Sequence, residues 1–539
     1  MRNVMKTATF HRPTLIDQLT NQPIWDLIVI GGGATGLGVA IDGLSRGYKT
    51  LLLEQTDFAK GTSSRATKLV HGGVRYLAQG DIGLVREALY ERGLLLKNAP
   101  HLVKNQSFII PNYEWWGGPY YTLGMKIYDL MSGKLSLGAA SHISKQETIE
   151  RLGNIKQEGL HGGVVYQDGQ FDDARLAINL AQTAVELGGT LLNHCAVQGI
   201  LKDAQGQVAG VKAVDNETGK LYEIKAKAVV NATGIFVDEI LQMDKPGTKK
   251  LVRPSQGVHI VLDKSFLPGN DAIMIPKTDD GRVLFAVPWH ERVILGTTDT
   301  PLNEYSEEPK ALEAEINFIL RTAGRYLARA PKRSDALSVF AGLRPLAAPQ
   351  DGSAKTKEIS RSHKILVSDA GLITITGGKW TTYRRMGQDT VNKAISLGKL
   401  PKAESQTINL AIHGALATSD DDRRNHLYVY GSDQPALHDL IKQQPALGEK
   451  LDNTLEFLQA EVVWAARYEM ARTVEDVLAR RVRVLFLDAE AAIRMAPTVA
   501  ALLAQELDHD YAWQQAQVAG FTKTAQNYLL QAQPTLQAA

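Results

Sequence analysis

Short apolar runs alternate with turn-forming residues through the first half of the chain. Asp26-Leu-Ile-Val-Ile30 is β-rich and stops at Gly31-Gly32-Gly33-Ala34-Thr35-Gly36, after which small and apolar residues continue to about Arg46 with helical character. The pattern predicts strand, tight turn and helix. Thr50-Leu-Leu-Leu-Glu54 supplies a second strand and completes a βαβ unit. A helix-like stretch from Asp172 to Gly188 leads into Thr190 to Val197. Turn residues at Asp203-Ala-Gln-Gly206 and Asp215-Asn-Glu-Thr-Gly219 then mark off two strands, Gln207 to Ala213 and Leu221 to Ala226. Ala228-Val-Val-Asn-Ala-Thr-Gly234 reads as a separate buried strand ending on glycine.

The stretch from Arg253 to about Arg344 is β-rich, with a hairpin signal at Asp280-Gly281 between Ala272 to Pro276 and Arg282 to Val287. An antiparallel cap sheet is predicted there. After Leu366 to Thr376, Gly377-Gly378-Lys379 begins a turn, and Thr381 to Leu397 returns the chain to its first domain as a helix. Past Leu400-Pro401 the composition shifts to Ala, Gln, Leu and Glu at helical spacing. Phe457 to Tyr468 and Thr473 to Val484 are the clearest helices, Thr473 with Asp476 forming a capping box. Arg480, Arg481 and Arg483 are expected to be the solvated, dipole-complementing end of the second helix.

The expected organisation is an N-terminal extension (1–25), a dinucleotide-binding domain (26–400) interrupted by a cap at roughly 76–165 and 253–345, and a helical domain (401–539). A chain of 539 residues is too long for a single core. Its 60 basic and 58 acidic side chains leave a net charge of +2, without the basic excess of a general nucleic-acid binder. The single cysteine, Cys195, rules out an intrachain disulfide, a Cys-built zinc site and an all-Cys iron–sulfur cluster, and suits a reducing compartment. No metal site is expected. Met1 to Asp26 lacks an apolar signal core, and no later window holds eighteen uninterrupted apolar residues, so attachment to one membrane face is favoured over a spanning helix.

The glycines at the first turn have separate duties: one permits the turn, one lets backbone approach a pyrophosphate, one lets helix and strand pack. Glu54 follows Gly31 by 23 residues, the spacing of an acid that accepts hydrogen bonds from an adenosine ribose and repels a 2′-phosphate. A βαβ unit followed by a meander, rather than further βα repeats, points to FAD in place of NAD. No second glycine fingerprint for NAD(P)H occurs, which favours a quinone or oxygen as electron acceptor.

Four longer motifs carry a family resemblance: Thr62-Ser-Ser-Arg-Ala-Thr-Lys-Leu-Val-His-Gly-Gly-Val-Arg-Tyr-Leu77, Gly296-Thr-Thr-Asp299, Ala341-Gly-Leu-Arg-Pro345 and Gly377-Gly-Lys-Trp-Thr-Thr-Tyr383. With Glu469-Met-Ala-Arg-Thr473 in the helical region, the chain resembles the FAD-dependent, aerobic glycerol-3-phosphate dehydrogenases. The resemblance implies an α/β fold with an FAD-binding Rossmann-like domain of glutathione-reductase type, an antiparallel-sheet cap and a C-terminal helical domain. It implies cofactor contacts from Gly31, Gly33, Gly36, Glu54, Thr62, Ser63, Ser64, Lys68, Leu69, His71, Gly234, Gly378 and Thr381. Substrate-facing positions carried over are Arg75, Tyr76, His259, Thr298, Arg344, Arg361 and Lys379.

Arginine and lysine suit a phosphate monoester, and His259 is the first candidate for the base that takes the hydroxyl proton, with His71 as another. Arg344, always protonated, is better suited to a developing alkoxide. The implied reaction is oxidation of sn-glycerol 3-phosphate to dihydroxyacetone phosphate, with electrons passed to a membrane quinone. A glycerophosphate oxidase using O₂ and an FAD-dependent amine or amino-acid oxidase are the competing enzymes, and a protein with structural FAD is the non-enzymatic alternative. A cytoplasmic protein held on the inner face of the cell membrane is expected, with a homodimer compatible. The segment Trp115 to Met131 is the candidate anchor: Trp and Tyr fill four of its first seven positions, and Leu123, Ile127 and Leu130 recur at helical spacing, with Lys126 and Lys134 near headgroup level.

Overall fold

The computed structural model describes residues 10–73, 81–114, 117–276, 278–279, 281–347 and 363–530. Arg75, Tyr76 and Arg361 lie outside the described residues, as do Trp115, Trp116 and Asp280.

In chain order the strands are β1 (Trp25–Ile30), β2 (Thr50–Leu53), β3 (Leu69–Val70), β4 (Val103–Asn112), β5 (Ser141–Ser144), β6 (Gly162–Phe171), β7 (Thr190–Leu192), β8 (Cys195–Lys202) and β9 (Val208–Asp215). They continue as β10 (Leu221–Asn231), β11 (Val252–Asp263), β12 (Ala272–Ile275), β13 (Leu284–Trp289), β14 (Arg292–Gly296), β15 (Thr300–Pro301), β16 (Ala336–Ala347), β17 (Lys364–Val367) and β18 (Ile373–Thr376).

The first sheet runs β17-β18-β10-β1-β2-β7, with β1 parallel to both β10 and β2. From Leu27 to Ile30 β1 is wholly apolar and buried, and the Ala34–Ser45 and Tyr383–Ser396 helices, packed on each other, lie against the sheet. The meander β8-β9-β10 hangs from this sheet. Two strands were expected between Leu221 and Gly234, but β10 is continuous. Its first half pairs antiparallel with β9, and its second half pairs parallel with β1. Nothing between Tyr222 and Val230 breaks extended backbone. Buried and exposed positions alternate up to Lys227, and from Ala228 every residue is buried as the strand enters the central sheet.

The second sheet runs β15-β11-β14-β13-β12-β4-β6-β3, with β16 on β11 and β5 on β6. This is the expected cap, with one departure: β12 meets β4 in parallel, Ala272 opposite Phe108, where the two cap segments join. The hairpin β12–β13 pairs Ile273 with Ala286. The long ladder β11–β16 sets Ser255 opposite Arg344, Gly257 opposite Gly342 and His259 opposite Phe340. These alternate positions share one face of the sheet.

Residues 401–458 hold several short turns and one α-helix, Gln434–Gln443, and further helices follow at Gln459–Tyr468, Ala489–Leu507 and Tyr511–Ala525. Tyr430, Leu437 and Trp464 belong to the hydrophobic cluster of β1 and β2, whereas Val477, Phe486 and Met495 pack with Val261 and Phe340 of the cap. The C-terminal segment therefore clamps both sheets.

The capping box forms: the Thr473 hydroxyl accepts from Asp476 N (3.1 Å), and the Asp476 carboxylate accepts from Thr473 N (3.0 Å). The helix that follows is a π-helical turn, Asp476–Arg481, ended by Arg483 at φ 68°. Its arginines are not solvated. Arg480 and Arg481 are buried against Asp57, and Arg483 reaches Asp173 (2.8 Å) and Asp172 (3.3 Å). Those acids belong to the first domain, so the expected helix end is a buried ionic joint. Removing one partner of such a pair leaves a charge stranded away from water, at about 3–5 kcal/mol.

Candidate active site

A cavity of about 1330 Å³ runs from the C-terminal edge of the first sheet to the cap. On the first-sheet side it is lined by Gly31, Gly33, Ala34, Glu54, Thr62, Ser63 and Gly234, at the place where open α/β sheets take ligands. The turn has no room for side chains at Gly31 and Gly36. Gly31 sits at φ 105°, and a Cβ on Gly36 would stand 1.9 Å from the Gly31 carbonyl oxygen. Gly36 thus serves the packing of helix on turn and does not itself line the cavity. Ala34 and Thr35 present the first turn of the Ala34–Ser45 helix to the cavity, a setting that favours a diphosphate.

Glu54 lines this end and also braces it. One carboxylate oxygen accepts from Gly32 N (2.7 Å), and the other accepts from Thr56 N (3.0 Å). Burial raises its pKa despite those bonds. The hydroxyl cluster divides its work. Ser63 Oγ accepts from Ala34 N (2.9 Å), while Thr62 donates to the Leu343 carbonyl and ties the first domain to β16. Ser64 is buried and turned from the cavity, its hydroxyl 3.4 Å from the Gly61 carbonyl. Lys68 is also turned away. Its Nζ is buried, donating to the Ser64 carbonyl (2.8 Å) and Asp173 (2.7 Å), and burial pushes its pKa down to about 7. Neither Ser64 nor Lys68 lines the cavity; their side chains hold its wall from behind. Leu69, His71, Gly378 and Thr381 line the cavity, the Thr381 hydroxyl accepting from His71 N (3.3 Å).

His259, Thr298, Arg344 and Lys379 line the cavity too. His259 is buried, stacked on Phe340 with centroids 4.8 Å apart, and its Nε2 lies 2.9 Å from Thr67 Oγ1. Burial first, then the charges of Lys68 and Arg344, hold its pKa well below the usual histidine range, so the ring is neutral. Arg344 Nη2 donates to the Thr298 carbonyl (3.1 Å) and Thr297 Oγ1 (3.3 Å), and Nη1 lies 3.4 Å from Asp299. The Thr298 hydroxyl accepts from Val258 N (3.0 Å) and donates to buried Glu315 (2.8 Å), so it joins β11 to the Glu313–Tyr326 helix. Thr67, Gly257, Thr297 and Asp299 line the site as well and were missed by the sequence reading. Strand alternation was the available signal for Gly257, which shares a face with Ser255 and His259.

A glycine-lined dinucleotide cradle facing a cationic cap across one cavity defines a flavin-dependent oxidoreductase. Residues 26–384 match the family described as FAD dependent oxidoreductase, and residues 373–517 match the C-terminal domain of alpha-glycerophosphate oxidase. The mitochondrial glycerol-3-phosphate dehydrogenase of Bos taurus is 38% identical over 531 residues, spanning 93% of this chain and 73% of its own. A probable mitochondrial glycerol-3-phosphate dehydrogenase of Caenorhabditis elegans is 40% identical over 547 residues, spanning 95% and 75%. The X-ray structure of the glycerol-3-phosphate dehydrogenase from Bacillus halodurans complexed with FAD matches with TM-score 0.78 at 28% identity, over 99% of this chain and 100% of that one. The chain belongs to the FAD-dependent glycerol-3-phosphate dehydrogenase family. Glycine oxidase from Geobacillus kaustophilus, at 17% identity and TM-score 0.51 over 72% and 99% of the two chains, shares the fold alone.

Proposed function

We propose that this cavity oxidises sn-glycerol 3-phosphate to dihydroxyacetone phosphate and that the electrons leave for a membrane quinone. The observation that carries the reaction is the placing of Arg344, Lys379 and neutral His259 around one cavity with the glycine cradle. Gly31, Gly33 and the start of the Ala34–Ser45 helix would hold the FAD diphosphate, with Glu54 toward the adenosine ribose. Bound FAD supplies the acceptor for the hydride that leaves C2. Lys379, with Arg75 and Arg361 carried over from the family motifs, binds the phosphate dianion, which needs several charge-assisted bonds. Arg344 stabilises negative charge on the substrate oxygen, Thr298 shapes the pocket, and Tyr76 is carried over from the family motif as a substrate-facing position. His259 takes the hydroxyl proton at Nε2, the nitrogen that faces Thr67. A neutral imidazole can do this, whereas an imidazolium cannot.

Peripheral attachment to the inner face of the cell membrane fits the Gly117–Ser132 helix, where Tyr120, Leu123, Ile127 and Leu130 are exposed. Leu130 is 82% exposed, well beyond what a packed helix leaves uncovered. Tyr120, Leu123 and Ile127 also line the cavity mouth, which would let a lipid-dissolved quinone approach from the bilayer. Among the described residues no helix is long and apolar enough to cross a membrane. The test is anaerobic bleaching of bound flavin by glycerol 3-phosphate, followed by steady-state comparison of quinone reduction with oxygen consumption. Bleaching with turnover on quinone supports the full proposal. Turnover on oxygen alone replaces the quinone by O₂, and an unbleached flavin refutes the reaction.

A further inference from the structure

One buried polar cluster in the cap has no part in the chemistry above. Tyr128 lies on the inner side of the Gly117–Ser132 helix, opposite the exposed Leu123 and Leu130, and is fully buried. Its hydroxyl accepts from the backbone N–H of Gly72 (2.7 Å) and donates to Asp168 Oδ2 (2.7 Å). Asp168 is held in turn by Arg92, whose Nη1 donates to Oδ1 at 2.9 Å. All three side chains are buried, and Asp168 borders the cavity.

Gly72 stands between two cavity-lining residues, His71 and Gly73. On one side β3 pairs with β6, Val70 opposite Gly169. Between that pairing and Gly72, His71 N reaches Thr381, in the loop that carries Gly378 and Lys379. The phenol is packed so closely on this segment that a Cβ on Gly72 would stand 2.6 Å from its oxygen.

We propose that Tyr128 is a positioning residue for the stretch of cavity wall at His71 and Gly73, which the family resemblance sets alongside the cofactor. Oriented as a donor by Asp168, its hydroxyl fixes the Gly72 amide and thereby sets where His71 and Gly73 stand in the cavity wall. The role rests on FAD occupying this cavity, and it requires neither the proposed base nor the quinone. A tyrosine suits it because one oxygen both accepts and donates. Loss of that oxygen leaves a buried N–H and a buried carboxylate oxygen without partners.

The experiment compares the FAD-loaded parent with Tyr128→Phe and Asp168→Asn. In the parent, hydrogen exchange at the Gly72 amide should be slow although its neighbours line a cavity; fast exchange there overturns the proposal without recourse to any variant. In Tyr128→Phe, that amide should exchange at least about tenfold faster. The visible flavin spectrum and reduction potential should shift, and kcat should fall while KM for glycerol 3-phosphate stays within about twofold. Asp168→Asn keeps a carbonyl to accept from Tyr128, so it should lower the melting temperature by weakening Arg92 yet preserve Gly72 protection and most of kcat. If Tyr128→Phe keeps the parental spectrum, potential and kcat, or if both variants lose activity only in step with melting temperature, Tyr128 is merely structural. A parent whose flavin is not bleached by glycerol 3-phosphate would defeat the proposed reaction while leaving the exchange and spectral results to decide this point.

Discussion

Gly257 and Arg344 lie diagonally across the β11–β16 ladder, so close that a Cβ at 257 would stand 2.4 Å from Arg344 Nη2 and 2.6 Å from Thr297 Oγ1. Both clashes are with side-chain atoms and none with backbone, so Gly257→Ala should fold and keep its flavin while displacing the guanidinium and the Thr297 hydroxyl. Loss of one charge-assisted bond, about 1.5–3 kcal/mol, lowers kcat/KM roughly ten- to more than a hundredfold. Gly520→Ala, on a helix with nothing near its Cβ, is the control and should be kinetically silent. Steady-state kinetics with an unshifted flavin spectrum decides the matter; a fully active Gly257→Ala would mean that the position of Arg344 is not critical.

Arg344→Gln and Lys379→Gln should each impair glycerol 3-phosphate oxidation by a similar roughly ten- to hundredfold factor with bound flavin intact. Unphosphorylated glycerol, lacking the anion, should be a poor substrate for the parent. Unchanged kinetics in both variants would remove both the phosphate contact given to Lys379 and the charge stabilisation given to Arg344.

Glu54 braces Gly32 and Thr56 from the end of β2, so Glu54→Ala should release FAD on extended dialysis before it affects the melting temperature. Full flavin occupancy after dialysis would show that neither the ribose contact nor the brace is needed.

His413 sits between Glu186 (2.8 Å) and Asp433 (2.6 Å), joining the Asp173–Glu186 helix to the C-terminal segment. Burial alone would lower its pKa, but hydrogen bonds to Asp433 and Glu186 outweigh it and push the value up to about 9 from an ordinary 6.5. A raised value means the imidazolium is favoured by folding. Its contribution, up to about 3 kcal/mol, is complete below pH 6.5 and is lost as pH rises through about 9. Thermal unfolding at pH 6 and pH 9.5 should show a drop in the parent that is smaller in His413→Gln. Equal drops in the two proteins would contradict the linkage.

Leu123 and Ile127 expose apolar surface on the helix proposed to meet lipid. Replacing both with Asp should abolish liposome co-sedimentation without loss of flavin. If the double variant still binds liposomes like the parent, the contact lies elsewhere.

The first βαβ unit was readable because its information is local: an apolar run, three glycines and a carboxylate at fixed spacing all describe neighbours in sequence. β10 was not, because each half obeys a different sheet and no turn residue announces the change. Arg480, Arg481 and Arg483 misled for a related reason. A run of cations at a helix end looks the same whether water or Asp57, Asp172 and Asp173 will neutralise it, and those partners lie in another domain. The motif containing Thr62 to Lys68 supplies part of the cavity wall, but its sequence does not say which side chains face inward. That division depends on Asp173 standing behind Lys68, a relationship created only by the tertiary fold.

The ionic joint also imposes an order on the birth of the molecule. Arg481 is 424 positions beyond Asp57, and Arg483 is 310 beyond Asp173. A ribosome delivers the acids long before the arginines, so the dinucleotide domain leaves the exit tunnel with carboxylates that cannot yet be buried in their final pairing. The joint itself can be completed only in the closing stretch of translation, and a nascent chain halted at Leu400 would hold the whole glycine cradle but none of the three cations of the joint.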